Sequence, residues 1–445
     1  LFRYPGIRSD SDMFTLGYSF RPWDGEKSIA DGASILQYIE DTARETGVEK
    51  HIRFNHKIVS ADWSSADARW RITAHRSDTN ETFELTADFI FSCTGYYRYD
   101  KGYTPEFPGT DSFGGTILHP QQWPENLDYA GKRIVVIGSG ATAVTLIPSL
   151  AEDAEHVTML QRSPTYIVSV PAKDPIANLL RRMLPARVSG PVIRWFKALT
   201  TQASYFISRK RPTLVQALLR LHVTRQLPEG YDVTTHFTPQ YNPWDQRLCL
   251  VPNGDLFSAI SDGRASVVTD RIKTFTPNGI LLDSGTELEA DIIVTATGLD
   301  VLFLGGVELS VDGAPVNPAD KVTYKGMMLN GVPNLAIAIG YTNASWTLKV
   351  DLISVYVTKL LNHMYYTGLR QCTPDASNVT VGDSPVFGLT SGYVARAADR
   401  LPKQGASFPW IMKQSYLADY RALRVNGIHD DVMKFTNPAR ETVHA

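Results

Sequence analysis

Cysteine is scarce. The 445 residues hold three, Cys93, Cys249 and Cys372. So few, odd in number and far apart, they form neither a disulfide framework nor a zinc pattern, and no C-x-x-C pair is present for dithiol chemistry. No metal is expected, and the usage fits a reducing cytoplasm. No apolar run approaches the length of a membrane span, and no signal-peptide pattern is visible. An excess of one charge is missing too: 44 Lys and Arg face 46 Asp and Glu, a net charge of −2. That balance argues against a nucleic-acid binder. With 43% hydrophobic and 20% charged residues, the chain has an ordinary soluble globular composition, long enough for two or more domains. Acid is lacking in one place: from Asp174 to Glu229 none intervenes, while ten Lys and Arg do.

The most legible stretch that is present runs from Phe113 to Ala143. Ile134–Ile137 is a β-branched apolar run, as expected of a parallel strand buried on both faces. It runs into Gly138-Ser139-Gly140-Ala141-Thr142-Ala143, a G-x-G-x-x-A turn that opens a helical pattern. The first glycine permits a tight turn and the second lets backbone approach a pyrophosphate. The small Ala143 lets helix and strand pack closely, and the helix N-terminus faces the phosphates. A glycine turn after a strand also occurs without a ligand. Here a second strand, Val157–Leu160, follows where a βαβ unit needs one, which favours a dinucleotide. That strand ends in Gln161-Arg162-Ser163, with no acid to hold a ribose 2′-hydroxyl. A guanidinium there suits a 2′-phosphate, so NADPH is expected rather than NADH, a solvated surface arginine being the alternative.

An internal repeat points to a second related domain. Residues 84–95 read ELTADFIFSCTG and residues 287–298 read ELEADIIVTATG, identical at seven of twelve positions. Each copy follows alternating strands that read as a β-meander, and each ends in Thr-Gly at the carboxyl end of a buried strand, where open α/β sheets bind ligands. Asp31–Val48 reads as an amphipathic helix, and the residues before the first repeat (HIRFNHKIVSADW, RWRITAH) as strands. Helices are expected at Ala177–Leu184, Val192–Arg209 and Thr213–Gln226. This basic insertion reads as a solvated face, an attractor of an anionic cofactor or a peripheral membrane face. A long apolar helix is expected from about Leu348. The tail after Gln371 reveals no chemistry.

The segment FGGTILHPQQWP, read as F-x-G-x-x-x-H-x-x-x-W-P, resembles the fingerprint of Baeyer–Villiger monooxygenases, carried by Phe113, Gly115, His119, Trp123 and Pro124. Arg3-Tyr4-Pro5-Gly6, followed by Asp10, resembles the tail of a second motif of that family, and the likeness extends along essentially the whole chain. It implies an α/β protein of two dinucleotide-binding, Rossmann-like domains, the NADPH domain inserted in the FAD domain. The expected division is 1–112 for the first part of the FAD domain, 113–124 for the fingerprint linker, 125–298 for the NADPH domain with its helical insertion at about 174–241, and 299–445 for the remainder. The chain starts at Leu1 without the strand–GxGxxG–helix that should open an FAD domain, so that segment is expected upstream.

The resemblance also implies a reaction. NADPH reduces FAD, O2 adds at flavin C4a, and the peroxyflavin attacks a ketone to give an ester or lactone, or oxygenates a soft sulfur. It places a catalytic arginine in NPWDQRLCLVPNGDLF, here Arg247, with Gln246 where many relatives carry lysine, and it assigns Asp10 to orient that arginine. Arg8, Ser9 and Asp10 are expected at the cofactors, and Ile58 at the adenine end of FAD, although Ile58 reads equally well as core. From its neighbours His119 reads as a packing or hinge residue rather than a base, since no nearby carboxylate orients it. The expected partners are a small ketone or sulfur-containing substrate and O2. A flavin-containing N- or S-oxygenase is the alternative with the same domains, and Trp123 and Arg247 count against it. An NADPH-binding remnant without oxygenase activity is the other.

Overall fold

The structure, a computed structural model, describes residues 4–388 and 391–438. Leu1 and Arg3 therefore lie outside the described residues. The chain forms two compact units: Leu1–Thr42, Arg98–Asp300 and Leu389–Tyr393 make the first, and Ala43–Tyr97, Val301–Gly388 and Val394–Ala445 the second.

The first unit is built on a five-stranded sheet of β1 (Thr116–Leu118), β2 (Arg133–Ile137), β3 (His156–Gln161), β4 (Ala265–Thr269) and β5 (Ile292–Thr295), in the order β4-β3-β2-β5-β1. Every pairing is parallel, with Val135 opposite Thr158 on one side and Ile293 on the other. A strand with two hydrogen-bonded neighbours and two covered faces must be apolar at every position, and β2 is. Its alternate residues part to opposite faces. Ile134 and Val136 join the cluster that holds Val144, Ile147 and Leu150 of α1 (Ala141–Leu150). Val135 and Ile137 join Phe275, Ile280 and Leu282, which belong to a three-stranded antiparallel meander over residues 272–289.

The acid-free segment is helical, as its pattern predicts: α2 (Pro175–Met183), α3 (Ala186–Lys210) and α4 (Pro212–Thr224). Asp174 caps α2, its carboxylate accepting from the Ala177 N–H at 2.8 Å. Prolines at the first position start α2 and α4, where a missing N–H costs nothing. Helix α3 begins earlier than the sequence suggests and carries Pro191 inside its second turn. Residues 4–42 pack on this unit rather than with the rest of 1–112. Ser9 N–H donates to Ala30, Ser28 N–H donates to Ala172, and Arg8 pairs with Asp255.

The second unit contains the other meander, His56–Ser64, Arg69–Arg76 and Glu81–Ala87, with Glu308–Val311 added parallel to its first strand. Ile90–Ser92 then pairs parallel with Leu335–Ile337. The two repeat copies thus take one form: a meander strand, a parallel strand, then glycine at positive φ, 69° at Gly95 and 110° at Gly298. The long helix α5 (Trp346–Thr367) supplies Leu352, Ile353, Tyr356 and Leu360 to this unit's core.

Candidate functional site

The turn between β2 and α1 assigns different tasks to its two glycines. Gly138 sits at φ 133°, and a Cβ there would lie 2.4 Å from the Ala296 carbonyl oxygen at the end of β5. The fold itself requires that glycine. Gly140 is the N-cap of α1 at φ −80°, and a Cβ there would meet nothing within 4 Å. Packing does not require a glycine at Gly140, whereas a pyrophosphate drawn to the first N–H groups of α1 would. Ala143 is fully buried beneath the turn. Gly138→Ala is expected to lose about 1–3 kcal/mol of stability through backbone strain alone. Gly140→Ala should keep the wild-type thermal midpoint yet weaken dinucleotide binding about tenfold or more. Parallel thermal melts and binding titrations check the pair, and equal losses of stability would remove the distinction.

The loop after β3 is held against this turn. The Ser139 hydroxyl donates to the Ser163 carbonyl at 3.2 Å and shares a hydrogen bond with Thr165 Oγ1 at 2.8 Å. Arg162 and Ser163 are exposed beside it. Among the described residues no carboxylate pairs with Arg162. A free guanidinium next to a helix N-terminus suits a dinucleotide bearing an extra phosphate.

Arg247 and Asp10, 237 positions apart, meet in the first unit. Arg247 Nη2 lies 3.3 Å from Asp10 Oδ2 and donates to Ser11 Oγ at 3.0 Å, while Ser11 Oγ donates to Asp10 Oδ1 at 3.1 Å. The three side chains close a small ring that fixes the plane of the guanidinium. Arg247 keeps 28% of its side chain exposed, so the cation is anchored and still accessible. Arg8 forms a two-pronged pair with Asp255, the first residue of a short helix, and its buried Nε has no hydrogen-bond partner among the described residues. Ser9 is buried, and its hydroxyl accepts from the Ala30 N–H at 3.1 Å. Tyr4 packs against the core cluster that includes α1, and burial raises its pKa. A Cβ on Gly6 would lie 2.8 Å from Ser149 Cβ and 3.0 Å from the Thr145 carbonyl oxygen, so the segment leading into Arg8–Asp10 lies against α1.

The fingerprint supplies a strand as well as a linker. Thr116–Leu118 is β1, the sheet edge next to β5. Gly115 is needed for close approach, since a Cβ there would lie 2.3 Å from the Asp291 carbonyl. Phe113 meets Phe275 edge to face at 6.4 Å, Trp123 meets Tyr129 likewise, and Pro124 follows on the exposed surface. His119 has both ring nitrogens occupied: Nδ1 accepts from the Gln121 N–H at 3.2 Å, so the proton sits on Nε2, which donates to the Gly298 carbonyl at 3.1 Å. Burial lowers its pKa, which keeps it neutral. It is a positioning residue for the Thr297-Gly298 loop, which Tyr103 also holds through its backbone. Ile58, half-buried at a bulge in the second unit's meander, pairs with Ala74.

A profile described as flavin-binding monooxygenase-like matches residues 27–311. The FAD-containing monooxygenase EthA of Mycobacterium tuberculosis is 54% identical over 436 residues, spanning 98% of this chain and 89% of its own. EthA of Mycolicibacterium smegmatis is 53% identical over 98% of this chain and 88% of its own. The chain belongs to the flavin-binding monooxygenase family. Among solved structures, an oxidised steroid monooxygenase bound to NADP superposes with a TM-score of 0.67 at 22% identity, over 84% of this chain and 80% of that one. This likeness bears out the two-domain α/β fold.

As a flavin-binding monooxygenase the chain has no need of a thiol, and its cysteines agree. All three are free, and burial pushes the Cys249 and Cys372 thiols up to about 12. Two arrangements escaped the sequence reading: the Arg8–Asp255 pair and the fully buried Lys349 with Asp419 in the second unit. Charged residues in an apolar pattern, such as Lys349 within SWTLKVDLISV, were the available signal.

Proposed function

We propose that this flavin monooxygenase uses NADPH and O2 to insert oxygen beside a ketone carbonyl, giving an ester or lactone, and also oxygenates soft sulfur compounds. The observation that carries the reading is the anchored, accessible guanidinium of Arg247 on Asp10 and Ser11. FAD reduced by NADPH supplies the activated oxygen atom, the second atom of O2 leaving as water. The residues present fit NADPH: Gly140 and the α1 N-terminus take the pyrophosphate, and Arg162 with Ser163 takes the 2′-phosphate. Residues 125–298 hold that cofactor, with 113–124 joining them to the FAD-binding parts, 1–112 and 299–445. Ile58 and the strand end at Gly95 belong to the FAD side. Arg247 stabilises the negative charge that develops as oxygen is transferred. Arginine suits this role because it keeps its proton at any working pH, whereas lysine gives it up more readily. The three free cysteines support a reducing cytoplasm as the setting of the reaction.

The test is product analysis with cyclohexanone and a dialkyl sulfide, supplying NADPH and O2 to FAD-loaded protein. Lactone formed with matching NADPH consumption is the expected result. Sulfoxide without lactone would overturn the ketone reading in favour of an N- or S-oxygenase. Arg162→Ala should weaken NADPH by about tenfold to a hundredfold, the worth of a charged hydrogen-bond set, and leave NADH within about twofold. Equal weakening of both would remove the 2′-phosphate from Arg162.

A further inference from the structure

Three successive helices of the first unit turn apolar stripes outward. In α2 these are Ile176, Leu179 and Met183, and in α4 Leu214, Leu218 and Leu221, all exposed, with Met183 at 71% and Leu218 at 56%. In α3, Val188, Val192, Phe196 and Leu199 are exposed and continue to Phe206 and Ile207. The spacings of three, four and seven put each set on one side of its helix. The opposite side of α3 faces the unit, with Ile193, Ala198 and Ser208 buried. Helix α3 packs against both α2 and α4, and α3 alone is about 37 Å long. Amphipathic helices of a soluble protein normally bury such stripes.

Charge decides what covers them. Several cations of this segment are used within the unit: Lys197 on Asp12 and Asp174, Arg209 on Asp245, and Arg181 and Arg194 on backbone carbonyls. Arg182, Arg187, Lys210, Arg211 and Arg225 are exposed and have no carboxylate partner among the described residues. Arg211 and Arg225 lie at the two ends of the α4 stripe, and Arg187 and Lys210 at the ends of α3. Long basic side chains at the rim of an apolar stripe are suited to reach headgroups while the stripe enters the acyl boundary. A second copy of the same face would bring like charges together. Among the described residues no helix is long and apolar enough to cross a membrane. We propose that α2, α3 and α4 form a docking face for an anionic lipid surface, on which the protein lies without spanning it.

FAD-loaded full-length protein sedimented with vesicles tests this, using phosphatidylcholine with phosphatidylglycerol against phosphatidylcholine alone, at low and high salt. Binding to the anionic vesicles only, weakened by salt, is expected. Arg211→Gln and Arg225→Gln should each weaken it about fivefold, and Leu218→Asp should weaken it further while keeping the wild-type thermal midpoint. Equal binding to both vesicle types, or no binding by the folded wild type, overturns the proposal. A Leu218→Asp variant that alters the oligomer size and leaves vesicle binding intact does so too, in favour of a contact between copies.

Discussion

Arg247→Ala is expected to reduce product formation by about 10²–10³-fold, the usual loss when one preorganised donor is removed from a developing negative charge. NADPH-driven flavin reduction, followed anaerobically by the loss of flavin absorbance, should stay within about threefold, because hydride transfer would spread its negative charge over the flavin ring rather than develop it on a transferring oxygen. Arg247→Lys restores a cation and cannot restore its plane. The guanidinium reaches Asp10 at 3.3 Å and Ser11 at 3.0 Å through Nη2, one corner of a rigid planar fork, whereas an ammonium carries its three donors on a single freely rotating atom. The lysine variant should therefore fall between alanine and wild type. Asp10→Asn keeps a hydrogen-bond acceptor and removes the charge; it should lower turnover less than Arg247→Ala, chiefly in kcat. Wild-type product formation by Arg247→Ala, with the flavin still bound, would remove Arg247 from the reaction.

How far the sequence carries depends on how local the governing contacts are. Strand β2, the glycine turn and α1 form one contiguous run whose apolar period, turn residues and helix start agree, and all three stand where the pattern puts them. The repeat was equally legible, because a meander strand leading into a buried parallel strand imposes the same period and the same terminal glycine twice. Strand β1 was hidden inside the fingerprint, since three residues are too few for alternation to register. Pairings across the chain leave no local trace. Arg8 reads as a cofactor ligand from its motif, yet its guanidinium is committed to Asp255, 247 positions away. The meeting of Asp10 with Arg247 was implied only by the motifs. Helical spacing in 174–241 showed that the helices are amphipathic. It could not show that their apolar stripes face outward, because the period is the same for either orientation.

Lys349→Met in α5 should be the most destabilising single change among those considered, at about 3–5 kcal/mol in denaturant unfolding, because it strands a buried carboxylate. Lys349 is fully buried, and its Nζ lies 2.8 Å from Asp419 Oδ2, which also accepts from the Tyr341 hydroxyl at 2.8 Å. Burial, reinforced by Asp419, raises the Tyr341 pKa far above its ordinary value, so that hydroxyl remains a donor throughout the working range. The ammonium also stands 5.5 Å over the Tyr341 ring. Removing it leaves Asp419 with one neutral donor and no counter-charge. Adding Asp419→Asn should recover at least half of the loss, since the amide keeps an oxygen for Tyr341 and carries no charge to desolvate. That recovery, added to the cost of Asp419→Asn alone, is the coupling free energy of a double-mutant cycle. The consequence should reach the aromatic group at the start of α5, where Trp346 stacks on Tyr96 at 4.8 Å and 13°, because Lys349 holds that first turn to the 416–419 segment. Near-ultraviolet circular dichroism reads that packing separately from global unfolding. A Lys349→Met protein within 1 kcal/mol of wild type would mean that water or a rearranged side chain already serves Asp419, and that the buried charge pair does not hold this end of the helix.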